Sequence, residues 1–144
     1  MTDSQNIKDL VRANEEYVKN FPKESSGLDP RPSRKLLIVT CMDARFHPSS
    51  AFALALGSTH IVRNAGGTAE EALPSIRVSQ HKLGTEELLL IKHTKCGMYP
   101  DEGPDEIRER VIGDVNLLRN HGEVKGSISG WLYDVDTGEA SRVV

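Results

Sequence analysis

An α/β fold built on a mainly parallel sheet is what this sequence predicts, and three observations carry it. Two runs, KLLIVT at 35–40 and TEELLLIKH with its strand at about 86–92, are apolar on both faces, as strands are when helices cover a parallel sheet. Between and around them, segments with helical periodicity alternate with short strand-like runs. The tail KGSISGWLYDVDTGEASRVV switches to strict alternation and carries Asp136-Thr137-Gly138, a turn signal between two strands.

Residues 4–21 read as a helix with Ile7, Leu10, Val11, Ala13, Tyr17, Val18 and Phe21 on one face, ended by Pro22. An amphipathic helix followed by a loose connector, KESSGLDPRPSR at 23–34, suits packing on a partner subunit. After the strand at 35–40, Pro48 opens a short helix, SSAFALAL, which Gly57 closes. A second strand lies around His60–Arg63. TAEEALPSIRVSQHKLG is helical, with Thr68 and Glu71 spaced as a capping box, Pro74 as a kink and Gly84 as the stop. The third strand leads into PDEGPDEIRERVIGDVNLLRN, a helix whose core positions are Ile107, Val111, Val115 and Leu118. The order αβαβαβαββ fits one domain over 1–144: a helix and connector at 1–34, then an α/β core at 35–144.

At 144 residues the chain suffices for one core and no more. A net charge of −3 without a basic block argues against nucleic acid, and no run of about 18 apolar residues suggests a membrane span. The polar, acid-containing N-terminus reads as neither secretion signal nor transit peptide, so a cytoplasmic location is expected. Two cysteines are too few for a disulfide scaffold.

Those cysteines sit where sites form. Cys41 ends the first apolar strand, and His93 and Cys96, in HTKCG, end the third; this is the edge where open α/β sheets place their sites. Two thiolates and an imidazole suit zinc, and three protein ligands with a fourth position open is the catalytic arrangement. A lone histidine or cysteine would read as core, but two strand ends each bearing a soft ligand shift the reading towards metal. Asp43 is the nearest residue to complete the set. It can also accept a hydrogen bond from a zinc-bound water, with Arg45 keeping it ionised and fixed. Taken alone, Asp43 and Arg45 read as a surface ion pair. In RNAGGT at 63–68, Gly66 and Gly67 either line the site and steady an anionic product or simply make a tight strand-to-helix turn. His47, His60, His81 and His121 read as ordinary histidines, since spacing selects no proton shuttle among them.

CMDAR at 41–45, IVRNAGG at 61–67 and HTKCG at 93–97 together resemble the β-class carbonic anhydrases, closely over about residues 35–98. GTEELLLIKHTKCGM and the closing GWLYDVDTGE are most similar to a short branch that includes carbonyl sulfide and carbon disulfide hydrolases. The resemblance implies one Zn²⁺ per chain on Cys41, His93 and Cys96, a catalytic dyad of Asp43 and Arg45, and a homodimer or higher homo-oligomer. It also implies a resting form, in some members, in which the aspartate itself ligates zinc. MYPDEGPDEIRERV is shorter than the matching segment of many members, so the walls of the site differ.

The expected reaction is attack of zinc-bound hydroxide on a small linear molecule: CO₂, giving bicarbonate, or COS or CS₂, releasing H₂S. Two rivals stand beside it. Thiol catalysis at Cys41 with Arg45 as an anion holder fails on spacing, because phosphatase loops need five residues between Cys and Arg and here there are three. A structural zinc with Asp43 as permanent fourth ligand is the non-enzymatic alternative.

Overall fold

In a computed structural model describing residues 1–144, Ser4 opens the first helix, its hydroxyl accepting from the Ile7 N–H. α1 runs Gln5–Lys19, followed by β1 (Leu36–Cys41), α2 (Pro48–Ala51), β2 (Thr59–Asn64), α3 (Ala69–Arg77), β3 (Glu87–His93), α4 (Pro104–Asn120), β4 (Ser127–Tyr133) and β5 (Ala140–Arg142). This is the element order the sequence predicts. The strands form one sheet in the order β2-β1-β3-β4-β5, parallel except for β5, which returns antiparallel to β4. The return turn needs a left-handed residue, and Gly138 supplies it at φ +79°.

Alternation along the strands sorts the core onto two faces. Leu37 and Val39 of β1, with Leu88 and Leu90 of β3, pack under α3 and α4 against Ala72, Ile76, Val111, Val115 and Leu118. All four predicted anchors of α4 are buried, each contributing about 1.5–3 kcal/mol by leaving water. Ile38 and Ile91 face the opposite way, onto Phe46 and Tyr133, whose rings stack at 4.0 Å. Where α4 crosses β4 the approach is so close that a Cβ on Gly130 would lie 2.4 Å from a Val111 methyl. The β1–β3 ladder ends with Thr40 facing Ile91, so Cys41 and His93 both emerge just past that end, His93 one residue further along.

Three local expectations are corrected. The helix beginning at Pro48 stops at Ala51, not Gly57, because Phe52 and Leu54 turn onto the Phe46 cluster and Ala53 adopts φ +48°. The Thr68 side chain does not cap α3; its hydroxyl donates to the Ala65 carbonyl, and Asp114 of α4 accepts the Ala69 N–H instead. Past Pro74 the helix widens into a π turn over Val78–Lys82 before Gly84 ends it.

No residue of α1 is buried, and its apolar side chains Leu10, Val11, Tyr17 and Val18 are exposed. No helix is long and apolar enough to cross a membrane.

Candidate metal centre

The centre is assembled from the ends of two adjacent parallel strands. Cys41 is the last residue of β1 and His93 the last of β3, with Cys96 in the turn that follows. Their donor atoms all lie within 4.8 Å of one another, and all three residues are buried. The backbone aims the imidazole: its Nδ1 lies 2.8 Å from the Thr94 carbonyl, which can only accept, so Nδ1 carries the proton and Nε2 presents a lone pair. That Nε2 is the one buried side-chain nitrogen or oxygen without a hydrogen-bond partner. A buried bare acceptor costs about 1–3 kcal/mol unless something fills it. Two sulfurs at the same point are the soft donors zinc prefers, so the donor set fits that ion.

Electrostatics agree. Burial pushes the Cys96 thiol up, and the adjacent Cys41 adds to the rise. Cys96 therefore resists ionisation until a cation compensates it.

Asp43 faces the same point, its Oδ2 3.7 Å from His93 Nε2. Arg45 holds it by three hydrogen bonds: the backbone N–H at 2.8 Å and Nε at 3.0 Å to Oδ1, and Nη2 at 2.7 Å to Oδ2. The guanidinium's hydrogen bonds keep the Asp43 carboxyl well below the usual carboxylate range, and the Arg45 backbone N–H adds to the effect. Nη2 also donates to the Lys95 carbonyl, so the clamp spans the two ligand-bearing turns. Both carboxylate oxygens of Asp43 are thus paired to Arg45.

A cavity of about 230 Å³ opens here, lined by Cys41, Asp43, Cys96, Gly66, Met42 and Met98. Gly66, at φ +75°, reaches it, and its N–H donates to Cys41 Sγ at 3.3 Å. That amide is engaged by the Cys41 sulfur. Gly67 stands beneath, where a Cβ would meet the Cys41 nitrogen at 3.0 Å; its smallness lets the turn close on β1. A larger groove of about 570 Å³ between β2 and α3 shares no residue with this cavity. None of His47, His60, His81 and His121 lines the cavity; His60, for one, bridges Ser79 and the Pro30 carbonyl.

Three charged residues that the motifs did not single out hold the frame. Arg63 of β2 donates to the carbonyls of Cys41, Asp43 and Phe46, clamping the loop that carries the dyad. Lys92, only 3% exposed, meets Asp114 of α4 at 2.8 Å and the carbonyls of Gly66 and Gly67 at 3.1 and 3.0 Å. The signal for the last pair was present. Lys92 continues the inward alternation of Leu88 and Leu90, and Asp114 sits three residues after Val111 on the buried face of α4. Opposite charges at two core positions point to each other.

Comparison with known proteins agrees with the fold. The carbonic anhydrase family model matches residues 36–106. β-Carbonic anhydrase 1 of Mycobacterium tuberculosis is 29% identical over 94% of this chain and 96% of its own length. A carbon disulfide hydrolase of Acidianus sp. is 37% identical over 73% of this chain and 75% of its own. The solved carbonic anhydrase from Glaciozyma antarctica superposes with a TM-score of 0.91 at 32% identity, covering 99% of this chain and all of that one. The chain belongs to the β-carbonic anhydrase family.

Proposed function

We propose that this protein is a zinc enzyme that hydrates CO₂ to bicarbonate. The observation that carries the reading is the bare, buried Nε2 of His93 converging with two thiols on one point that Asp43 also faces. Cys41, His93 and Cys96 would hold the ion, and when bound it supplies a water acidified to hydroxide near neutral pH. The chain's own residues do the rest. Asp43 Oδ2 accepts a hydrogen bond from the attacking oxygen and orients its lone pair; Arg45 fixes that carboxylate and keeps it ionised. The Met42 and Met98 side chains give a small linear substrate an apolar seat.

Hydrolysis of CS₂ or COS is the second reading, favoured by the 37% identity to the Acidianus carbon disulfide hydrolase and by the two methionines that line the cavity, a residue type suited to polarisable sulfur. One zinc-quantified preparation separates the two: CO₂ hydration by stopped flow against H₂S release from COS and CS₂, each as kcat/KM. Fast hydration with negligible H₂S is the expected result. Dominant H₂S release would replace it with the hydrolase, and silence in every assay with zinc bound would leave a structural metal.

A homodimer is part of the proposal. A 15-residue helix with no buried residue is marginal alone in water, so the exposed face of α1 calls for a second copy. Sedimentation of the same preparation should give twice the 15.9 kDa chain mass or more. A cytoplasmic, reducing setting would keep both cysteines as ligands.

A further inference from the structure

We propose that Lys92 is a positioning residue for the metal centre, anchoring the Gly66–Gly67 turn so that the Gly66 N–H stays aimed at Cys41 Sγ. The proposal rests on the metal-centre reading above and adds a residue that neither binds the ion nor touches the cavity.

A lysine in a sheet core is costly unless every proton of its ammonium is matched. Here the three protons meet three acceptors: Asp114 Oδ2, the Gly66 carbonyl and the Gly67 carbonyl. An apolar residue would fill the position at no such cost, as Leu88 and Leu90 do on the same face. What the ammonium supplies is orientation. Gly66 and Gly67 both take left-handed φ, at +75° and +58°, a conformation with little local preference to hold it. Two carbonyls tied to one buried cation give that turn a fixed floor, and on its other side the Gly66 amide donates to the thiol sulfur.

Asp114 extends the tie, because the same Oδ2 accepts the Ala69 N–H at the start of α3. One carboxylate oxygen therefore links α4, the end of β3 and the helix that begins after the turn. A hydrogen bond to a ligating sulfur draws charge from it, so the amide sets how much charge Cys41 gives the metal. Contacts of this kind change metal affinity or activity by about 10–100-fold when removed.

The test uses the full chain loaded with Co²⁺ in place of Zn²⁺, whose thiolate charge-transfer absorption reports directly on the ligating sulfurs. Lys92→Met keeps bulk and removes every donor. Asp114, still partly exposed and still accepting from Ala69, is left solvated, so the fold should survive. Expected for K92M are a charge-transfer band moved to longer wavelength, a 10–100-fold change in metal affinity by chelator competition, and a roughly 10-fold fall in kcat/KM. Lys92→Gln, able to hold one carbonyl, should fall between and serves if K92M does not fold. A band and an affinity unchanged from the parent, with only a lowered Tm, would overturn the proposal and leave Lys92 a structural residue. A parent chain that binds Co²⁺ without any thiolate band would instead overturn the metal-centre reading, and this proposal with it.

Discussion

Two Asp-x-Arg pairs occur in this chain, and their contacts agree to a tenth of an ångström. In Asp29–Arg31 as in Asp43–Arg45, the arginine backbone N–H and Nε reach Oδ1 at 2.8 and 3.0 Å, and Nη2 reaches Oδ2 at 2.7 Å. The surroundings differ. Asp29 lies in the connector with its side chain 49% exposed; Asp43 is 15% exposed, two residues past the end of β1 and 3.7 Å from His93 Nε2. A carboxylate and a guanidinium two residues apart close this clamp wherever the backbone permits. The strand that carries the second pair is what sets it beside Cys41 and His93.

The largest test of that contrast is to neutralise each carboxylate in turn. Asp43→Asn should lower kcat/KM by about 10²–10⁴-fold with zinc content unchanged, the range for losing a positioned proton acceptor. Asp29→Asn should leave the rate within about two-fold, as expected for an exposed pair of small worth. Equal losses would mean that the ion pair matters for folding and not for chemistry. Next in size is the cation. Arg45→Met should cost about 10–100-fold by releasing the orientation of Asp43, and Arg31→Met should cost nothing measurable by the same assay.

The smallest effect is in acid, where the twins should behave alike. Hydrogen bonds from the Arg31 side chain bring the Asp29 carboxyl down to about 2, and those of Arg45 take Asp43 lower still. A carboxylate whose folded pKa lies below its unfolded value of about 3.9 stabilises the fold above that value and loses the contribution as pH falls towards the folded one. Asp29→Asn should therefore flatten the fall of stability between about pH 4 and pH 2, read from urea unfolding at each pH by circular dichroism. An unchanged slope would show the Asp29–Arg31 clamp already open in solution. Neither group titrates near neutrality, so any change in rate from about pH 5 to 8 has another origin than Asp43.

The twin pairs also show why some features were legible in the sequence and others were not. D-x-R alone is ambiguous, since the connector holds a second copy; what sets Asp43–Arg45 apart in the sequence is Cys41 beside it, with His93 and Cys96 on the other strand. Strand existence, the parallel sheet and the anchors of α4 followed from periodicity, which reports burial directly. Helix ends did not. The Thr68–Glu71 spacing suggested a capping box, yet the Ala69 N–H is taken by Asp114, 45 residues away, and no local pattern encodes such a partner. The helix after Pro48 was cut short for the same reason: packing of Phe52 on Phe46, a tertiary contact, outweighed its helical pattern. Arg63, Lys92 and Asp114 escaped because a charged residue in a strand or helix is read as surface until its partner is known.

Gly130 sets how near α4 can come to the sheet, since the hydrogen it carries in place of a side chain is what Val111 and Val115 rest on. Asp114 rides on that helix between them, and through it the Lys92 ammonium and the turn over Cys41. A single methyl at 130 would lift the helix as a shim lifts a beam, and the displacement would be felt at the sulfur. The mutational tolerance of the centre is thus governed in part by a residue that touches none of its ligands, on a strand that supplies none of them.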